Sequence, residues 1–130
     1  MARNRLEAAR TDVEAITRVA NEYIESYASG DPQRHASVYH PECLKRRYVT
    51  DDSSGVTELV TLSPRIMADY AAASGPMDGD CETEVIIDDI SEGMASVRIY
   101  SCRWVDFAHV VRARDEWRLF HITWHGRSGA

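Results

Sequence analysis

Residues 94–124 read MASVRIYSCRWVDFAHVVRARDEWRLFHITW. From Met94 to Cys102, Ala95, Val97 and Ile99 alternate with Ser96, Arg98 and Tyr100. From Val105 to Ala113, Phe107, His109 and Val111 alternate with Asp106, Ala108 and Val110. From Trp117 to Trp124, Phe120, Ile122 and Trp124 alternate with Leu119, His121 and Thr123. A period of two, rich in β-branched and aromatic residues, marks half-buried strands, because successive side chains leave a strand on opposite faces. Three such runs joined by short turns predict an antiparallel sheet carrying a small-molecule pocket.

Upstream, Glu82 to Ile90 predicts a further strand, turned into Met94 by Ser91-Glu92-Gly93. Ser74 to Asp80, with Gly75-Pro76 and Gly79, reads as a loop. Ser63-Pro64 is a cap-plus-proline helix start, and Ile66, Met67 and Tyr70 form that helix's inner face. Val56 to Leu62 predicts a short strand or an extended segment after the turn cluster Asp51-Asp52-Ser53-Ser54-Gly55. Asp31-Pro32 starts a short helix with Val38 and Tyr39 as its apolar side. His40-Pro41 stops it, because the residue before proline is pushed out of the helical region. At the front, Thr11 and Glu14 form a capping box. Val13, Ile16, Ala20, Tyr23, Ile24 and Tyr27 follow on one helical stripe, and Gly30 ends it. Residues 1–10 fray or extend this helix. Early helices and late sequential strands predict one α+β domain over residues 1–130.

A chain of 130 residues buries roughly two-thirds of its unfolded surface and needs no metal or disulfide staple. The net charge of -6 argues against nucleic acid as a partner. Neither a membrane span nor a signal-peptide core is present. Cys43, Cys81 and Cys102 are odd in number and widely spaced, and read as ordinary thiols in a reducing cytoplasm.

The run Tyr23-Ile24-Glu25, then Gly30-Asp31, His40-Pro41 and Lys45-Arg46 resembles the front half of the putative lumazine-binding family, part of the nuclear transport factor 2-like superfamily. Ala95-Ser96-Val97, Val105-Asp106-Phe107 with His109, Trp117-Arg118-Leu119 and Trp124 resemble its back half. The resemblance covers residues 13–124. It implies a cone-shaped fold in which a curved, mostly antiparallel sheet wraps a long N-terminal helix. It also implies a deep pocket open at one end and a homodimer through the sheet. The superfamily holds ketosteroid isomerase, scytalone dehydratase, epoxide hydrolases, polyketide cyclases and binding modules, so fold leaves function open. Two departures stand out. The turn usually written Asp-Gly is Arg114-Asp115-Glu116, and His121 stands where relatives usually have asparagine.

A two-residue turn at Arg114-Asp115 or Asp115-Glu116 puts Asp106, Ala108 and Val110 on one face with Leu119, His121 and Thr123. Phe107, His109 and Val111 then share the other with Phe120, Ile122 and Trp124. A three-residue loop would swap these sets. Asp106 and His121 are thus candidate proton-transfer partners, or a hydrogen bond that only fixes the sheet. His109 is a packing residue among aromatics, or the principal acid or base if its face lines the cone. His40 belongs at the cone's mouth, or bonds its local backbone. Lys45-Arg46-Arg47 is a solvated face, or a clamp for an acidic ligand group in which Arg46 takes part. Tyr23 and Tyr27 are core residues whose hydroxyls need partners, with Tyr27 the one placed to reach a pocket. Tyr39, Trp104 and Trp124 are expected to line or approach it. His121, His125 and Asp106 share a face, but strand spacing sets the two rings about 13 Å apart, so no metal site is expected.

With no nucleotide, phosphate or nucleophile motif present, no cofactor is expected. The expected function is binding of a small molecule in an apolar pocket. The alternative is a cofactor-independent isomerase, dehydratase or hydrolase using Asp/His acid–base chemistry. Apolar residues on both faces, Val110 and Leu119 on one and Val111 and Ile122 on the other, predict a homodimer through the sheet.

Overall fold

The stripe of α1 (Ala2–Ala28) lies across one face of a six-stranded sheet, with Ile16, Ala20 and Tyr23 buried against it. The chain continues through α2 (Pro32–Ser37), β1 (Tyr39–Thr50), β2 (Thr57–Leu62) and α3 (Pro64–Ser74). It ends in β3 (Glu84–Ser91), β4 (Met94–Tyr100), β5 (Trp104–Ala113) and β6 (Glu116–Gly126). This computed structural model describes residues 2–77 and 82–127, with side chains from Arg10 onward. Gly79 and Cys81, read above as a loop breaker and a thiol, lie outside the described residues.

The expected α+β architecture, an open and mostly antiparallel sheet with a long N-terminal helix, is the observed one. The strand order is β2-β1-β6-β5-β4-β3. Only β1 and β6 run parallel, among pairs that are otherwise antiparallel. Val97, Ile99, Val110, Leu119 and Ile122 point from the sheet into the core shared with α1. The expected caps form: the Asp31 side chain accepts from the Arg34 amide at 3.1 Å, and that of Ser63 from the Ile66 amide at 3.2 Å.

Four local expectations are corrected. The first helix begins at Ala2, so Thr11 and Glu14 lie in its interior rather than at its cap. Tyr39 opens a strand instead of closing α2. Lys45-Arg46-Arg47 is not simply a solvated face: Lys45 is buried, and Pro41 to Tyr48 forms most of β1, paired with β2 on one side and β6 on the other. Its inward positions are Cys43, Lys45 and Arg47, so polarity hides the alternation that marks a strand. Cys102 is disulfide-bonded, while Cys43 is free and buried. The cysteines therefore give no argument for a reducing compartment.

The β5–β6 hairpin closes on two residues, Arg114 and Asp115, both left-handed with φ of 54° and 66°. Ala113 pairs with Glu116, and Val110 still pairs with Leu119, as the turn requires. Then Phe120 is left over. His109 pairs with His121, Ala108 with Ile122 and Asp106 with Trp124. One extra residue on β6 is a β-bulge, and beyond it every side chain of β6 changes face relative to the unbulged register.

The ends of α1 and α3 meet through two glycines. A Cβ on Gly30, whose φ is +72°, would lie 2.8 Å from the Gly75 Cα, and one on Gly75 would come closer still to the Gly30 backbone. Gly75→Ala is expected to cost about 1–3 kcal/mol through overpacking alone, since its φ of -98° suits any residue. At Gly55, with φ +72° and open space around it, alanine should cost about 1 kcal/mol of backbone strain. Urea unfolding of both variants checks this. A Gly75→Ala protein with the parent's midpoint would show that the helix ends have slack.

Candidate functional site

Beyond the bulge, the inner face of the sheet stops being aliphatic. Asp106 comes inward on β5, Trp124 on β6 and Lys45 on β1. Tyr23 and Tyr27 descend from α1, one helical turn apart, to meet them. With Trp104, Leu62, Met67 and Tyr70, these residues enclose a cavity of about 160 Å³, open on one side. His35 of α2 closes its back.

The cavity's polar end is a three-residue chain. Lys45 Nζ donates to the Tyr23 hydroxyl at 2.5 Å, and that hydroxyl donates to Asp106 Oδ1 at 2.8 Å. Lys45 and Asp106 also form an ion pair at 3.7 Å, with side chains 8% and 2% exposed. Burial is the largest influence on each group. It raises the Asp106 carboxyl above the usual carboxylate range and lowers the Lys45 ammonium, although each partner pulls the other back. Tyr23 is pushed well above an ordinary phenol by burial and then by the Asp106 charge. It therefore stays protonated, able to accept from one neighbour while donating to the other. The Lys45 ammonium also lies 5.0 Å from the Tyr23 ring centroid and 4.8 Å from that of Trp124. The Arg47 guanidinium lies 4.7 Å from the Trp124 ring, so two cations share one indole.

His35 is fully buried and held at both ring nitrogens. Nδ1 is 2.9 Å from Ser26 Oγ and Nε2 is 2.7 Å from the Tyr39 hydroxyl. Burial, then the Lys45 charge, lowers its pKa to about 4. The ring is neutral at neutral pH and positions Tyr39 behind the cavity wall.

The sequence-derived candidates separate into two groups. Asp106, Tyr27, Trp104 and Trp124 line the cavity. Tyr39 approaches it through His35. The other four lie on the opposite face. His109 and His121 face each other there, with ring centroids 5.9 Å apart. Arg46 lies beside them in a shallow groove. His40 packs its ring on Phe120 at 5.1 Å and accepts from the Glu42 amide at 3.0 Å, a local backbone bond. The expected Asp106–His121 pairing is thus corrected, because the bulge at Phe120 sends the two side chains to opposite faces. The same slip turns Ile122 inward, where it is buried. Lys45 was read only as part of a charge run, Tyr23 as core, and His35 was not singled out. One signal pointed to the first: Lys45 is the single lysine in a chain with fourteen arginines. Among the described residues, no group of three or more His, Cys, Asp or Glu side chains is placed to hold a metal ion.

Residues 11–125 match the family described as "Putative lumazine-binding". The chain belongs to this putative lumazine-binding family. No curated protein matches it. Among solved structures, it is similar to a nuclear transport factor 2-like protein of Shewanella baltica, at 17% identity and a TM-score of 0.77, covering 92% of this chain and 96% of the other. A cystatin-like protein of Nostoc punctiforme aligns at 10% identity and a TM-score of 0.69, covering 92% and 93%. A ketosteroid isomerase-like protein of Erwinia carotovora aligns at 11% identity and a TM-score of 0.61, covering 88% and 95%. At these identities the likeness establishes the fold, which this lumazine-binding family member shares with them.

His35 gives the family member a pH dependence whose sign is set by its burial. In the unfolded chain the ring takes a proton near 6.5, whereas in the fold it resists protonation until about 4. Between those values the unfolded state binds the extra proton, so its stabilising contribution is full above the upper value and lost as pH falls towards the lower one. The loss should reach about 3 kcal/mol. Thermal unfolding followed from about pH 7 down to about pH 4.5 should show it, and His35→Gln should flatten the profile. A parent profile as flat as that of the variant would remove His35 as the cause.

Proposed function

We propose that this protein binds a small, largely apolar molecule with one oxygen acceptor, its ring or chain against Trp104, Trp124 and Tyr27 and its oxygen towards Tyr23 and Lys45. One observation carries this reading: a buried, hydrogen-bonded Lys45–Tyr23–Asp106 chain forms the floor of an otherwise apolar and aromatic cavity. Buried charges cost several kcal/mol each, and a core residue of similar volume would pack there without that cost. Volume narrows the class. A cavity of about 150 Å³ holds benzene, so one of about 160 Å³ takes a single substituted ring or a short chain. The two fused rings of a lumazine need the side chains at the open side to move.

Titration with single-ring phenols, ketones and carboxylic acids, and with lumazine, read by tryptophan fluorescence, tests the proposal. Saturable quenching by at least one single-ring compound is expected. Leu62→Trp, which fills the cavity, should weaken binding about tenfold or more. Equal binding by the filled variant would place the ligand elsewhere.

A second reading is acid–base catalysis without a cofactor, as in an isomerase, dehydratase or hydrolase. The raised Asp106 carboxyl at the cavity wall favours it, since a general acid or base works best when its pKa approaches the working pH. In that reading Asp106 acts with Tyr23 and Lys45, and neither His121 nor His109 takes part.

The proposal includes a homodimer through the outer sheet face. Leu44, Met94 and Phe107 are 38%, 56% and 45% exposed on that face, an apolar area that a second copy would cover. Sedimentation equilibrium at micromolar concentration should give a dimer, and Phe107→Asp a monomer. A parent that sediments as a monomer ends this part of the proposal. The net charge of -6 argues against a nucleic-acid partner, and no helix among the described residues is long and apolar enough to cross a membrane. Cytoplasmic placement has no support left from the cysteines and is not part of the proposal.

A further inference from the structure

Lys45 is the only lysine in a chain that carries fourteen arginines. Every other cationic position uses the residue that stays protonated. If this position needed only a partner for Asp106, arginine would serve with a bidentate pair of hydrogen bonds. What lysine adds is a nitrogen that can lose its proton and act as a nucleophile. That nitrogen lies at the wall of the cavity, among aromatic rings, with its side chain 8% exposed.

We propose that Lys45 forms a reversible imine with a small aldehyde or ketone held in the cavity. This deepens the small-molecule reading and rests on it. The surroundings supply what the step needs. Burial works against the charged form of both Lys45 and Asp106, and the Tyr23 hydroxyl bridges the two groups, giving a path by which the ammonium proton reaches the carboxylate. The neutral amine then adds its lone pair to the carbonyl carbon, and the C=O π pair moves to oxygen. That oxygen takes the proton from Asp106. The nitrogen returns one proton to the carboxylate, and the same proton lets the hydroxyl leave as water. The product is an iminium beside a carboxylate, with one water released and no oxidant or reductant consumed. The ammonium–carboxylate pair at the start and the iminium–carboxylate pair at the end carry the same charges, so no new charge is buried. Tyr27, Trp104 and Trp124 suit the apolar part of such a carbonyl compound, and the cavity volume limits it to a single ring or a short chain.

Borohydride trapping tests the step on the intact protein. Benzaldehyde is the probe and sodium borohydride the reductant, with peptide mapping by mass spectrometry to locate the benzyl group. The chain's α-amine is the internal reference, since it is more reactive than an ordinary exposed lysine at neutral pH. Lys45 should be labelled roughly tenfold faster than that amine, saturably, and with protection by benzyl alcohol, which binds but cannot react. Asp106→Asn, which removes the proton acceptor, should slow labelling of Lys45 about a hundredfold relative to labelling of the α-amine in the same sample. Circular dichroism confirms that the variant is folded, and the parent's labelling pattern decides the question even if it is not. Benzaldehyde that quenches fluorescence without labelling Lys45, or that labels only the α-amine, overturns the imine and leaves the binding pocket standing. Neither quenching nor labelling would remove both.

Discussion

One unpaired residue, Phe120, decides what this sheet presents to each side. Up to Val110 and Leu119 the β5–β6 ladder follows its two-residue turn, and the inward positions are those of an aliphatic core. Past the bulge, the residues brought inward are Ile122 and Trp124 instead of His121 and Thr123. Asp106 therefore faces the Trp124 indole rather than Thr123, and the His121 imidazole leaves its face. The two histidines are set on the outer face. The chemistry of the cavity then follows from β1, which lies parallel beside β6 and delivers Lys45 opposite Ile122.

Placing a lysine and an aspartate in the interior of a small domain works against its stability unless both are well paired. Tyr23 resolves the conflict. Its hydroxyl is the acceptor the ammonium lacks and the donor the carboxylate lacks, and its own high pKa keeps it neutral. His35 completes the arrangement from behind. The charge on Lys45 helps keep that ring neutral, and the neutral ring holds Tyr39 and Ser26 in place. The site is therefore one coupled unit, in which removing any member leaves a buried neighbour short of a partner.

Much of this was legible in the residues. The alternations in β4, β5 and β6, the stripe of α1 and the Asp31 and Ser63 caps each predicted their elements, because hydrophobic periodicity and capping chemistry are local properties. Tyr27 was found because it ends the helical stripe with a hydroxyl, and Asp106 because a carboxylate on a strand needs a partner on its own face. The errors share one physical origin, which is tertiary context. A bulge at Phe120 has no marker of its own, since neither glycine nor proline accompanies it. β1 stayed hidden because its inward side chains are Cys43, Lys45 and Arg47, whose polarity serves the cavity and erases the alternation. Lys45 and Tyr23 looked like solvated charge and core aromatic for the same reason. Each takes its meaning from a residue far away in sequence.

The place of β6 has a consequence for how the protein is made. It is the latest strand in sequence, yet it stands third in spatial order, between β1 and β5. During synthesis the β1–β2 hairpin and the β3–β4–β5 meander emerge as two separate sheets, each with one long edge unpaired. No strand pairing joins them until residues 116–126 have left the ribosome. The interval is hazardous, because those open edges can pair with other chains. Its closure is abrupt, because one strand inserts between both halves and seals them together. A chaperone that shields strand edges would have its greatest effect in that interval, before the final strand is released.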